Sequence, residues 1–260
     1  MIKFFSKIRQ KMVAENKFSK YLIYAIGEIV LVVIGILIAL QINEWNDHRK
    51  EIALENEYYC RLLEDVQLDK EQMENLIQLA EDRLVASNQS IRLLIDEKSE
   101  KIAIATQIKL ATKAIYSDFE PNNSAYQDLK SGANLNIITD KSVIKTLNHY
   151  FNRVDELKSI IMINGKYAVD LAFAHDDNFA NGSHRAAMVE GRLQNGLDEN
   201  LKEAISSFDD GILSSQMRKR LLHESVEFAG VNSRQVELYD MLLQEIDDLK
   251  LQLEKKCETK

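Results

Sequence analysis

The sequence predicts an all-α chain, one N-terminal transmembrane helix followed by an elongated antiparallel helical bundle, and three observations carry the prediction. Helix breakers are scarce, one proline (Pro121) and nine glycines in 260 residues, while the abundant Leu, Ile, Lys, Glu, Gln and Ala favour helix. One apolar run, Tyr21 to Ile42, has the length of a membrane span. Much of the remainder repeats apolar residues at heptad spacing, which is how amphipathic helices present a buried stripe.

The first element is a basic tail. Residues 1–20 hold six Lys or Arg against one Glu, whereas the chain after Asn43 carries twelve more acids than bases, within a formal net charge of -8. An acidic domain repels phosphate backbones, so no nucleic-acid partner is expected.

The second element reads YLIYAIGEIVLVVIGILIALQI, 22 residues (21–42) with one ionisable group, Glu28. Helical rise gives about 33 Å, enough for a hydrocarbon core of about 30 Å. Starting after Glu28 would leave about 21 Å, which is too short, so Glu28 belongs inside the bilayer. Fourteen Leu, Ile or Val residues at about -0.3 to -0.6 kcal/mol each outweigh one acid at roughly +3 kcal/mol. A core helix of a soluble protein is the first alternative, and the basic flank, the length and the interfacial Tyr21, Tyr24 and Trp45 argue against it. A cleaved secretory signal is the second, yet Leu40, Gln41 and Ile42 do not form a small-x-small cleavage pattern. An uncleaved anchor is the preferred reading.

Lys3, Lys7, Arg9, Lys11, Lys17 and Lys20 stand on one side of the span, and the positive-inside rule makes that side cytoplasmic. Residues 43–260 are then exported, to the periplasm where a cell has two membranes. The expected layout is a cytoplasmic tail (1–20), an inner-membrane helix (21–42) and an exported bundle (43–260).

The runs IKFFSKIRQK and KYLIYAIGEIVLVVIGILIALQINEWN resemble the opening of a family of uncharacterised single-pass membrane proteins of Bacteroidota, known as a domain of unknown function. LKSGANLNIITDK (Leu129 to Lys141) is similar to a weaker internal signature of that family. Its members commonly carry Asn before the Trp, where this chain has Glu44. The resemblance implies topology and no chemistry.

Within the span, Tyr21, Tyr24, Glu28, Gly35 and Ala39 fall within about 40 degrees of one line on the helix. Gly35 and Ala39 form a small-xxx-small pair, and an intramembrane carboxyl normally faces a partner or water. This face is expected to pack on another transmembrane helix, its own copy or a different membrane protein. The plainer reading has Glu28 snorkelling to the nearby interface.

Beyond the membrane, Tyr59, Val66, Met73, Ala80 and Leu94 share one row and Ile77, Leu84 and Ile91 another, which predicts a helix over about 44–96, continuous with the membrane span. DEKSE (96–100) reads as a turn, a helix is expected over about 102–117, and DFEPNNS around Pro121 breaks it. Short helices should flank Gly132. Asp140 is the candidate N-cap of a helix running to about 173, where Val143, Tyr150 and Leu157 align with Leu147, Val154 and Ile161. AHDDNFANGSHR (174–185) is the most polar interruption. The last helix, about 214–256, shows Leu222, Ala229, Val236 and Leu243 beside Tyr239, Ile246 and Leu253. These stripes can be buried only against each other. Polar Asp69, Asn232 and Lys250 fall on the seams, where intermolecular coiled-coil pairing would account for them.

Motifs of chemistry are sparse. Cys60 and Cys257 have no zinc spacing; they are a candidate disulfide in an oxidising compartment if the last helix returns towards the membrane. His175, Asp176, Asp177 and His184 lie within ten residues, as metal ligands do, but polar loops collect the same residue types. His48, His149 and His223 stand isolated. No phosphate loop, nucleophile elbow, dinucleotide fingerprint or zincin helix occurs, so no cofactor, metal or enzymatic activity is expected. The leading expectation is a membrane-anchored scaffold or interaction module that binds itself or another envelope protein. The alternative is an exported ligand-sensing bundle acting through a separate transducer, since a 20-residue tail is short for an output domain. An enzyme whose site is assembled from distant residues is the third.

Overall fold

The computed structural model describes residues 18–115, 119–132, 134–173, 198–201, 204 and 213–257. They form an all-α fold: α1 (Phe18–Ile95), α2 (Lys101–Thr112), α3 (Ser124–Ser131), a 3-10 turn (Asn134–Ile137), α4 (Lys141–Phe173) and α5 (Ser215–Cys257). Two compact units divide the chain, Met1–Asn56 and Glu57–Lys260.

In the first unit the described part is the N-terminal half of α1. None of its most apolar window is buried, and Ile23 and Leu31 leave 71% and 72% of their surface open. A core helix of a soluble protein would show the reverse. This is an apolar helix long enough to span a membrane, with an apolar surface that lipid would cover.

The second unit is a multi-helix bundle whose pairings fix its directions. α5 runs antiparallel to α1: Cys60 meets Cys257, Lys70 meets Asp247 at 2.7 Å, and Arg218 donates to the Leu93 and Leu94 carbonyls at the other end. α5 is likewise antiparallel to α4, through Gln252 with Ser142, His149 with Glu245, and Tyr167 with Glu227. The segment from α2 to α3 descends along α1, with Lys113 beside Arg83, Asn122 beside Asp69 and Asp128 beside Arg61. The result is an up-down-up-down bundle in which the second arm is broken into α2, a non-helical stretch at 119–123, and α3.

Local chemistry sets the boundaries. α1 stops where the Asp96 side chain accepts the Lys98 N–H at 3.0 Å and its carbonyl accepts the Ser99 N–H. Asp140 caps α4 by accepting the Ser142 N–H at 2.9 Å, and the Ser214 hydroxyl accepts the Met217 N–H at the start of α5; each satisfies a donor that the first turn leaves orphaned. α3 borrows its cap from another helix: the Asp65 carboxylate of α1 accepts the Ala125 N–H at 2.9 Å and the Ser124 hydroxyl, a negative charge at the positive end of a helix dipole.

α2 ends at Thr112 rather than near 117. Its last carbonyls are drawn off by side chains of α1 and α5, and Ala114 turns into the left-handed region at φ 52, so helix cannot continue.

Two apolar clusters fill the bundle. The one towards the disulfide contains Leu62, Met73, Phe119, Tyr150 and Leu249. The one towards Asp96 contains Leu94, Ile104, Ala111, Leu221 and Phe228. Each fully buried large side chain contributes about 1.5–3 kcal/mol.

Candidate functional site

Glu28, Gly35 and Ala39 sit on α1 within the exposed apolar stretch, and a Cβ added at Gly35 would meet nothing within 4 Å. At Gly35 there is therefore room for a neighbouring helix to approach. Tyr21 and Tyr24 lie on the same helix, but their side chains fall outside the described residues, as do the tail residues 1–17.

Cys60 and Cys257 stand with their Cα atoms 5.0 Å apart and their sulfurs bonded at 2.00 Å. Heptad phasing alone left the helix parity open. The returning fourth arm supplies it, because the end of α5 comes back beside the start of the second unit's share of α1.

Two buried polar layers cross the bundle. In the first, Asp69 has no exposed surface; its carboxylate accepts the Asn122 N–H at 2.6 Å, the Asn122 side-chain amide at 2.9 Å and the Tyr150 hydroxyl at 2.6 Å. Burial pushes the Asp69 carboxyl above its ordinary value, and these three donors pull the other way. Burial, then the Asp69 charge, pushes the Tyr150 hydroxyl up. The layer fastens the stretch beside Pro121 to α1 and α4.

The second layer lies between the two apolar clusters. Arg83, 3% exposed, donates Nε–H to Asn232 Oδ1 at 3.1 Å, Nη2–H to Gln235 Oε1 at 2.9 Å and Nη1–H to the Lys113 carbonyl at 3.5 Å. Asn232 donates to the Ala111 carbonyl and the Ser87 hydroxyl, and Gln235 to the Ile115 carbonyl and the Tyr239 hydroxyl. The orphan carbonyls at the end of α2 are thus capped by amides and a cation, the sign that end of a helix dipole favours. Burial lowers the Arg83 guanidinium from its ordinary value. Asp69 and Asn232 on the seams therefore find partners within the chain, and Lys250 on the same seams lies 3.5 Å from Glu254. Arg83 and Gln235 were missed in sequence, because a lone polar residue on a long helix reads as solvated surface.

A groove of ≈ 330 Å³ opens beside Arg83 between α1 and α2, lined also by Leu79, Val85, Ala86, Leu110 and Ala114, with Asp82, Gln107 and Lys113. Its walls are mostly apolar, with one buried cation among them. Asp69 and Arg83 are separated by about 21 Å of helix, too far to work as an acid and base on one substrate.

His175, Asp176, Asp177 and His184 lie outside the described residues. Among the described residues no group of three His, Cys, Asp or Glu is placed to hold a metal. His149 lies 3.4 Å from Glu245, and His48 3.8 Å from Glu51.

A family of unknown function (DUF6090) matches residues 28–172, more than half of the chain. The chain belongs to the DUF6090 family. The matched stretch starts at Glu28 and ends one residue before the end of α4, so it includes Gly35, Ala39, Cys60, Asp69 and Arg83, while Asn232, Gln235 and Cys257 on α5 lie beyond it. Comparison with curated proteins and with solved structures returns no match.

Proposed function

We propose that the chain is a non-enzymatic, membrane-anchored helical scaffold: a tail (1–20) in the cytoplasm, an inner-membrane helix (21–42), and a bundle (43–260) outside that binds itself or another envelope protein. One observation carries the reading. The bundle buries its own stripes within the chain, whereas Leu22 to Ile42 present a run of exposed large apolar side chains that only lipid or another membrane helix would cover.

The basic residues before Tyr21 support the orientation. Placement of Cys60 and Cys257 at bonding distance supports an oxidising compartment for the bundle, since cytosolic thiols are kept reduced. The face of Tyr21, Tyr24, Glu28, Gly35 and Ala39 is the proposed contact with a second copy or another membrane protein, Gly35 and Ala39 allowing close approach.

Alkaline extraction of membranes and protease treatment of spheroplasts test the anchor. The protein should stay in the pellet, and external protease should cut the bundle into fragments that separate on a reducing gel while an N-terminal tag survives. Release into the soluble fraction would overturn the reading. A second reading, a ligand-sensing bundle, is favoured by the groove over Arg83.

A further inference from the structure

The groove is defined by two features that an ordinary gap between helices lacks. One of its lining residues is Arg83, whose buried guanidinium has three acceptors, Asn232 Oδ1, Gln235 Oε1 and the Lys113 carbonyl, all of them neutral. A guanidinium carries five N–H donors in a fixed fork. Nη1 and Nη2 each retain a second N–H without an acceptor among the described residues. The end of α2 offers only partial negative charge, and the neighbouring Asp82 acts on the guanidinium through its charge without a bond between them, so no carboxylate is paired directly with the buried cation. The other feature is Ala114, a groove residue with a side chain at φ 52. A non-glycine residue in that region is strained, and such strain gathers at ligand clamps.

We infer that this groove binds a small organic monoanion, a carboxylate on a short hydrocarbon body, with the charge towards Arg83 and Lys113. The planar pair of carboxylate oxygens matches the guanidinium fork. Leu79, Val85, Ala86 and Leu110 require an apolar body, which inorganic phosphate lacks. Asp82, also lining the groove, accepts from Gln78 at 3.1 Å on its own helix and disfavours a second negative charge on the ligand. The volume, ≈ 330 Å³, is at the small end of ligand sites. The inference names the ligand class for the sensing reading and does not depend on the membrane anchor.

The test uses the full chain in nanodiscs, with empty nanodiscs as blank, titrated with hexanoate and with hexanamide, its uncharged counterpart, by calorimetry or saturation-transfer NMR. Hexanoate should bind saturably and about tenfold more tightly than hexanamide. Val85 and Lys113 are exposed, so variants there keep the fold: Val85→Trp, which fills the groove, should abolish binding, and Lys113→Glu should weaken it by about three- to tenfold. Arg83→Gln should remove the preference for hexanoate if it folds. Equal binding of acid and amide would overturn the anion class while leaving a binding groove for the sensing reading. Absence of saturable binding, binding indifferent to Val85→Trp, or displacement of hexanoate by equimolar inorganic phosphate would overturn the inference.

Discussion

The two halves of the bundle solve one problem with opposite charges. Towards the disulfide, a buried carboxylate on α1 gathers N–H and O–H donors from the non-helical stretch and from α4. Towards Asp96, a buried guanidinium on the same helix gathers oxygens from the frayed end of α2 and from α5. Both serve the broken second arm, whose backbone groups lack helical partners and must be satisfied elsewhere when buried. The difference is in closure. Asp69 is ringed by donors inside an aromatic and leucine-rich core, whereas Arg83 sits among alanines and serines beside an open groove. Equal chemistry at the two levels thus leaves one half sealed and the other accessible.

Truncation at either layer should break the comparison most severely. Asp69→Ala strands the Asn122 amide and the Tyr150 hydroxyl, and Asn232→Ala strands Arg83 and the Ala111 carbonyl; each should cost about 3–5 kcal/mol in denaturant unfolding. A loss below about 1 kcal/mol at either position would mean that the layer is not closed as described.

Removing the cross-link acts on both halves through the unfolded chain. Cys257→Ser opens a closure of 197 residues and should lower stability by about 2–5 kcal/mol, a fall in Tm of roughly 5–15 °C. Thermal scans with and without reductant should give the same difference in the wild type and none in the variant.

Acid titration separates Asp69 from Asp140 by sign. The folded-state Asp69 carboxyl titrates above its ordinary 3.8 because burial disfavours the charge, so its contribution is largest below 3.8 and is lost as pH rises through the raised value. Lys256, at 2.7 Å, and the Ser142 hydroxyl and N–H hold Asp140 below its ordinary range, so its contribution is present above 3.8 and is lost as pH falls through the depressed value. Asp69→Asn should flatten the decline above pH 4, and Asp140→Asn the decline below it. Stability measured from pH 2.5 to 7 reads both slopes.

The smallest effect belongs to the strained turn. Ala114→Gly should stabilise by about 0.5–1 kcal/mol, the relief of a left-handed alanine less the added freedom of glycine in the unfolded chain. It should leave the Asp69 half untouched.

What could be read beforehand was what is local. The end of α1 near residue 96, the Asp140 cap, the short helices around Gly132 and the limits of α5 all follow from spacing and capping within a few residues. The end of α2 did not, because the groups that take its carbonyls lie on α1 and α5, as much as 121 residues away. Asp69 and Asn232 were visible as polar intrusions on apolar seams. Their partners were not, since Tyr150 is 81 residues from Asp69 and Arg83 is 149 from Asn232. Arg83 itself carries no local mark: arginines beside leucines on an amphipathic helix are ordinarily solvated, and only the arrival of a broken arm turns this one inward.

The bond between Cys60 and Cys257 makes the polypeptide a loop with a stem. A nick anywhere inside that loop, including the polar stretch around residues 174–185, yields two pieces that migrate as one until the sulfurs are reduced. A cut of that kind would release neither the bundle nor its last helix, and intact and clipped molecules would be told apart only in the presence of thiol.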